Sequence, residues 1–411
     1  MKLNKCYLYP ILFYKVLPNA VTTVNLSPIA FLLAILDSRK YFTELKRLSI
    51  NILVPFLLLT LLSTIQIFFN GYMVLKPLIL LTSSILGGLY LAIKISKYKP
   101  IKSFFIFLSY YFIISIISIN NPEGSIYFPF QIPAISGLTG FGGLSTPVLF
   151  YLSFTTLLSF KNIILRLASY LLISLLFLLS YNNSAVLIYF VAILILSFII
   201  SLALIKQFRL LLNSILFSRI GILLILLIVL FIGTFSLYII KNSLDEEFVL
   251  YLDGLTSFRI GLANEAINSF RTSDIFNIFF GHGLGAGYYN LYIDSDVISN
   301  FWNSPKQIHN TFISILYDTG IVGSSLLLLS FTYIYSGLYK YLYRIHIVNK
   351  MQSLASNNKA IYIINIIASL VVFIELASMD KYTDLLSYTI MFLIPLTLIN
   401  HLNNQDIQKS T

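Results

Sequence analysis

Residues 77–95 of this chain read PLILLTSSILGGLYLAIKI, and this stretch indicates which kind of fold the chain adopts. Its charged residue is Lys94, next to the end, and the rest is a nearly continuous apolar run. A run of about 20 such residues is long enough to cross the hydrocarbon core of a bilayer as a helix. Because the apolar residues are continuous rather than alternating, they favour a spanning helix over a barrel strand.

The rest of the chain repeats this pattern. Hydrophobic residues make up 58% of the sequence and charged residues 10%, whereas soluble domains carry about 25% charged residues. We therefore predict an all-α polytopic membrane protein with about 12 transmembrane helices, or about 11 if the proline-interrupted segment 6–36 crosses only once. Further apolar runs lie at 48–70, 103–119, 141–160, 163–181, 184–205, 220–240, 310–337, 360–379 and 384–400.

The basic residues predict how these helices are oriented. The net charge is +11, but no long basic block is present, so we attribute the excess to cytoplasmic loops rather than to nucleic-acid binding. Loops at 120–140 and 181–184 carry no Lys or Arg and alternate with the basic loops. The pattern predicts a multi-pass protein with both termini in the cytoplasm. The basic loops contain Arg39, Lys40, Lys46, Arg47, Lys94, Lys97, Lys99, Lys102, Lys161, Arg166, Lys206, Arg209, Arg219, Lys340, Arg344, Lys350 and Lys359.

One long segment, residues 241–309, divides the chain into three parts. It separates the N-terminal transmembrane helices of residues 1–240 from the C-terminal ones of residues 310–411. The alternation of loop charges predicts that it lies on the outer face. Its many aromatic and helix-forming residues predict one large folded loop rather than a structureless one. Apolar residues recur near helical spacing over 255–270, which predicts a short amphipathic helix in this loop.

Glycines alternate in the loop at Gly281, Gly283, Gly285 and Gly287. Three interpretations are open. The spacing fits a dinucleotide-binding pattern, but the strand and crossover unit that this pattern needs are not predicted here. The glycines can instead form a turn that requires positive φ angles, or a loop whose N–H groups approach a phosphate.

His309 and Asn310 stand where the outer loop meets the apolar run 310–337. A histidine at such a place is either an interfacial residue or a general base, since neutral imidazole is available near pH 7. His282 is the other histidine of the loop, and the single cysteine, Cys6, is far away in sequence. We therefore predict neither a metal site nor a cofactor.

Arg259 and Arg271 are the two arginines of this acidic loop, 12 residues apart. They form either solvated salt bridges or a clamp on a diphosphate, because the guanidinium group binds such oxygens in a fork. Lys241 and Lys306 add charge near the ends of the loop. These two lysines can also be residues that extend from helix ends to the membrane surface.

Three segments together resemble the bacterial O-antigen polymerase and O-antigen ligase superfamily. They are SFRIGLANEAINSF at 257–270, FFGHGLGAG at 279–287 and HNTFISILYDTGIVG at 309–323. The family pattern has an arginine, a G-x-G-x-G segment and then His-Asn at a helix start. Two small residues follow, and Gly320 and Gly323 match their spacing.

The resemblance implies a metal-independent glycosyltransferase of the bacterial inner membrane, with its active site in the periplasmic loop and no cofactor. Its donor would be an undecaprenyl diphosphate-linked oligosaccharide, and membrane lipid, a chain-length regulator and a flippase would be its partners. By resemblance, His309 acts as general base and Arg259, with Arg271, binds the diphosphate. The other residues that the resemblance assigns to substrate binding are Gly281, His282, Gly283, Gly285 and Asn310.

This chain departs from the family pattern in two places, of which the second favours a polymerase over a ligase that transfers the glycan to lipid A core. Many members have Trp where this chain has Ala263, and many ligases have an arginine where it has Asn183. A lipid-linked oligosaccharide flippase or another transporter is the alternative of a different class. It predicts several ionisable or polar residues within the membrane. The sequence offers few, chiefly Glu375 and Asp318, which disfavours this alternative.

Overall fold

The structure is a computed structural model, and it describes about the first half of the chain more completely than the second. The described residues are 26–37, 43, 53–70, 75–119, 125–126, 132–133, 146–160, 162–179, 219–221, 223–224, 227, 259–286, 311–348, 385–386, 388–394, 396–397 and 400. The predicted runs at 184–205 and 360–379 lie outside them, and the runs at 220–240 and 384–400 lie partly outside.

The described part of the chain is helical apart from one pair of two-residue strands. Strand β1 (Ser125–Ile126) pairs antiparallel with β2 (Ile132–Pro133), with Ser125 opposite Pro133. This confirms the predicted all-α class, and the helix bounds follow the apolar runs closely. The helices are α1 (Ser27–Leu36), α2 (Leu53–Asn70), α3 (Leu75–Ile95), α4 (Pro100–Ile119), α5 (Thr146–Ser159), α6 (Ile163–Leu179), α7 (Arg259–Thr272), α8 (Ile275–Phe280) and α9 (Thr311–Val348).

Among the described residues, one helix is long and apolar enough to cross a membrane by length and composition. It is α3, which contains the apolar run 77–95, and 72% of its most apolar part is buried within the protein. Shorter apolar helices lie at Ser27–Leu36, Ile163–Leu176 and Ile313–Leu329. The number of crossings therefore stays a prediction.

Small residues allow α1 and α3 to pack closely. The hydroxyls of Ser27 and Ser83 are 2.8 Å apart, and a Cβ on Gly87 would lie 3.0 Å from that of Ala30. About two helical turns further along both segments, Lys94 forms an ion pair with Asp37. The contacts advance together along both helices, so α1 and α3 run parallel and end on the same side of the molecule.

Other helix ends meet on this same side. The Phe104 ring, near the start of α4, lies 5.3 Å from the ring of Phe160, which follows α5. The Asn400 side chain donates to the Ser96 hydroxyl just after α3, at 2.9 Å. Basic residues concentrate in the chain near these helix ends. We therefore call this the basic side of the described fold.

Helices α2 and α9 run antiparallel, and their contacts define the opposite side of the molecule. Gln66 donates to the Asp318 carbonyl at 3.1 Å, whereas Leu62, one turn earlier, lies 3.2 Å from the Cβ position of Gly323, which is further along α9. The end of α2 and the beginning of α9 are therefore on one side. Because α3 starts five residues after α2 ends and is about 30 Å long, this side lies across the molecule from the basic one.

Candidate functional site

The segments that carry the resemblance meet where α7, α8 and the start of α9 pack together. Ala266 on α7, Ala286 after the glycine loop, and Ile313 and Tyr317 on α9 form one buried apolar cluster. Two further side chains of α7, Ile267 and Phe270, pack against this cluster. The predicted amphipathic helix at 255–270 is thus confirmed from residue 259 onward as α7, and its apolar face covers the first two turns of α9. Residues 255–258 lie outside the described residues.

The short helix α8 connects α7 to the glycine loop. Asp274 caps it, because its carboxylate accepts from the Asn277 backbone N–H at 2.9 Å. The helix ends at Phe280, and the next residue is Gly281, whose N–H donates to the Asn277 carbonyl at 2.8 Å and whose φ is 78°. A residue with left-handed φ commonly ends a helix, and glycine adopts this conformation at least cost.

The glycines of the loop adopt backbone conformations that other residues avoid. Gly281, Gly283 and Gly285 have φ angles of 78°, 103° and 88°. The interpretation of these residues as a turn that needs positive φ is therefore confirmed. Gly287 lies outside the described residues.

Gly281 and Gly320 lie where two backbones are in direct contact. A Cβ built on Gly281 would stand 2.3 Å from the Asp318 carbonyl oxygen, and one on Gly320 would stand 2.4 Å from the Phe279 carbonyl oxygen. Gly320 also has φ 65° and ψ −169°, which breaks α9 there. The apolar run 310–337 was predicted as one helix, but it bends at this glycine.

The glycine loop donates its N–H groups to the stretch of α9 just before the break. The His282 N–H donates to the Tyr317 carbonyl at 3.0 Å and the Gly283 N–H to the Asp318 carbonyl at 2.9 Å. The Gly285 N–H donates to the Asp318 carboxylate at 2.7 Å. A break in a helix interrupts its hydrogen-bond ladder, and the loop supplies partners here. These three N–H groups are thus used within the protein, and a phosphate would have to find other donors.

Asp318 is the buried charge at the centre of this arrangement. Asp318 is 1% exposed, and one of its carboxylate oxygens accepts a hydrogen bond from the Gly285 N–H. A buried carboxylate is costly unless hydrogen bonds compensate for the lost water. Asp318 therefore ties the loop to α9 through both its carbonyl and its carboxylate.

His282 is fixed on both ring nitrogens. Its Nδ1 lies 3.2 Å from the Tyr317 carbonyl, which can only accept, so Nδ1 carries the proton. Nε2 lies 3.0 Å from the Ser273 hydroxyl oxygen, and the Ser273 O–H donates to the Ser269 carbonyl at 2.7 Å. The ring also stacks on the Tyr317 ring, with centroids 4.2 Å apart and planes 8° apart. His282 thus joins α7, the loop and α9.

The other candidate residues are placed by their helices. Arg259 is the first residue of α7, and exposed Arg271 lies in its last turn. Twelve residues of helix separate the two by about 18 Å and a third of a turn, so the structure does not bring them together. His309 and Asn310 lie outside the described residues, directly before the first residue of α9, Thr311.

Sequence reasoning missed the contribution of α2. Gln66 is a buried amide within an apolar helix, and its Nε2 donates to the carbonyls of Phe280 and Asp318. It therefore holds the end of α8 and the broken turn of α9 at once. The signal for it was present, since a polar side chain in an apolar run is costly and is retained where it has a role.

No three His, Cys, Asp or Glu side chains form a metal-binding group within the described ranges. No family model matches the chain, and no curated protein matches it in sequence. The three motif segments and their arrangement around α9 are therefore the features that bear on function.

Proposed function

We propose that this protein is a polytopic membrane glycosyltransferase that joins undecaprenyl diphosphate-linked oligosaccharide repeat units, as an O-antigen or surface polysaccharide polymerase. The observation that supports it best is the assembly of the motif segments. Helix α7, which begins with Arg259, and the loop Gly281–Gly285 both pack on the first turns of the helix that follows His309. Segments far apart in sequence thus form one unit.

The proposed membrane arrangement has about 12 helices and one large periplasmic loop, 241–309. It is supported by the two sides of the described fold. One side carries the ends near Lys94, Lys102 and Phe160, where basic residues concentrate. The other carries the end of α2 and the motif unit. Basic residues collect on the cytoplasmic side, so the motif unit would face the periplasm.

In the proposed reaction, a hydroxyl of the acceptor repeat unit attacks the anomeric carbon of the donor sugar. The new bond joins that oxygen to the carbon, and the bond from the carbon to the diphosphate oxygen breaks. His309 takes the hydroxyl proton as the oxygen attacks. The diphosphate leaves with the electron pair, and Arg259 stabilises the charge that develops on it.

The geometry of α7 divides the roles of the two arginines. Since Arg259 and Arg271 lie at opposite ends of α7, a single diphosphate contacts one of them more readily than both. We assign the leaving diphosphate to Arg259, at the start of the helix, where the helix dipole also favours an anion. Arg271 would then contact a second part of the substrate, such as the diphosphate of the other lipid-linked unit.

A reconstitution tests the proposal. Purified protein in liposomes is given lipid diphosphate-linked repeat units alone, and the products are separated on a gel. We expect a ladder, and we expect its loss in His309→Ala and in Arg259→Ala. His346→Ala and Arg344→Ala, which change the same residue types at the far end of α9, should keep it.

The other outcomes separate the alternatives. A product that forms only when lipid A core is added would identify a ligase. Movement of the lipid-linked sugar across the bilayer without a new glycosidic bond would identify a transporter. A ladder of normal yield from both His309→Ala and Arg259→Ala would refute the assigned roles even if the activity itself were found.

A further inference from the structure

The short helix α8 presents an apolar face to the outside. Ile275, Phe276 and Phe279 are 75%, 48% and 45% exposed. The Phe276 ring is held against the Phe280 ring, with centroids 5.0 Å apart, so this face is a defined surface. Three large apolar side chains on six residues would be unfavourable in water, which indicates an apolar partner.

Contacts on both sides fix the position of α8. Its Phe279 carbonyl lies against Gly320 at the break in α9, and its Phe280 carbonyl accepts from Gln66 of α2. The helix therefore lies across α2 and α9 at one level, which is the level of Gln66 and Gly320. We call this place the crossing.

Exposed apolar residues lie on the basic side of the crossing on both α2 and α9. On α2, the exposed apolar residues Leu61 and Ile65 directly precede Gln66. On α9, the exposed apolar residues Ile321 and Leu329 follow Gly320. Because the two helices are antiparallel, both apolar faces extend from the crossing toward the basic side. The turns of α9 beyond the crossing, Ile313–Tyr317, are instead covered by α7.

We propose that α8 is an interfacial membrane anchor, whose Ile275, Phe276 and Phe279 side chains insert among the phospholipid acyl chains of the outer leaflet. The proposal rests on the proposed membrane arrangement. In it, the crossing marks the membrane border, since the exposed apolar face of α9 extends from it on one side and α7 covers α9 on the other. An amphipathic helix with aromatic residues on one face lies in this boundary.

Phospholipid fits this face better than a groove-bound ligand does. The three side chains lie on about one and a half turns of a helix and form a convex surface. A convex surface suits the many mobile acyl chains of a lipid leaflet better than it suits one lipid tail, which would need an enclosing groove. The anchor would set the height of the glycine loop, which starts at the residue after α8. That height is where a lipid-linked donor presents its diphosphate.

Tryptophan fluorescence in liposomes tests the anchor without any substrate. The single tryptophan is replaced (Trp302→Phe), and Phe276→Trp or Ile275→Trp is introduced as two independent probes. The lipids are phosphatidylcholines brominated at shallow or deep acyl positions, which quench a nearby indole. We expect blue-shifted emission from both probes and stronger quenching by the shallow bromines.

Two control probes separate this inference from the membrane proposal. Leu329→Trp, on the apolar face of α9, should be quenched more by the deep bromines, and Thr272→Trp, exposed at the end of α7, should not be quenched. Quenching at Leu329→Trp with none at residues 275 and 276 would overturn the anchor and leave the membrane arrangement standing. No quenching at any probe would overturn both. A blue shift that grows with the protein-to-lipid ratio, without quenching by the bromine atoms, would assign the face to a second copy of the chain and overturn the anchor.

Discussion

Gly281 and Gly320 show what one missing methyl group allows. Both have positive φ, and at both an added Cβ would come within about 2.4 Å of a backbone carbonyl oxygen of the opposite segment. The positive φ at the loop glycines was one of the three interpretations that the sequence left open. The backbone contact was not, because it joins residues that are distant in sequence, and nothing local at Gly320 indicates its partner.

Substituting Gly281 with alanine should destabilise the protein strongly. Gly281→Ala combines an unfavourable φ with a clash against backbone atoms that cannot rotate away, so we expect a loss of about 2–4 kcal/mol. Gly87→Ala is the matched comparison, since its Cβ would meet the Ala30 side chain at 3.0 Å without a positive φ. Thermal unfolding in detergent measures both, and an equal drop in Tm for the two variants would contradict the backbone contact.

His282 should act on stability more than on chemistry. Its two ring nitrogens already have partners, and its ring stacks on Tyr317. We expect His282→Ala to cost about 1–3 kcal/mol of stability and to keep part of the transfer activity, whereas His309→Ala should abolish transfer. Initial rates and Tm values are measured on the same preparations. A fully stable but inactive His282→Ala would show that His282, not His309, is the base.

At the scale of elements, the apolar runs predicted the helices well, since α3 and α4 begin and end within a few residues of the runs 77–95 and 103–119. The break in α9 was not predicted, because hydrophobic periodicity continues through it. What breaks the helix is tertiary: the loop replaces its hydrogen bonds, and Gln66, from an element more than 200 residues earlier, completes the crossing.

Removal of the Gln66 amide should loosen the crossing. Gln66→Ala removes a donor from the Phe280 carbonyl and one from the Asp318 carbonyl, which keeps the Gly283 N–H. We therefore expect a loss of about 1–3 kcal/mol and faster amide hydrogen exchange at His282 and Gly283. Ser63→Ala is the control one turn earlier, because the buried Ser63 hydroxyl has no hydrogen-bond partner among the described residues. It should be neutral or slightly stabilising. Unchanged exchange in Gln66→Ala would mean that the glycines alone hold the loop.

At the scale of the whole molecule, the sequence predicted two sides from the distribution of Lys and Arg, and the contacts of the described helices also define two sides. The side of Lys94 and Asp37 is separated by the length of α3 from the side of Gln66 and Asp318. The sequence could not show which helices are neighbours, because exposed and buried helix faces have similar composition in a chain this apolar.

Cysteine labelling of intact cells tests which side faces out. In a Cys6→Ser background, which removes the single native cysteine, we introduce Asn268→Cys on the exposed face of α7 or Lys97→Cys after α3. If α7 is periplasmic and the basic side cytoplasmic, a membrane-impermeant maleimide that has passed the outer membrane should label Asn268→Cys at once. It should label Lys97→Cys only after the inner membrane is permeabilised. The reverse order would place His309 and Arg259 in the cytoplasm, where the proposed transfer to a periplasmic glycan could not occur.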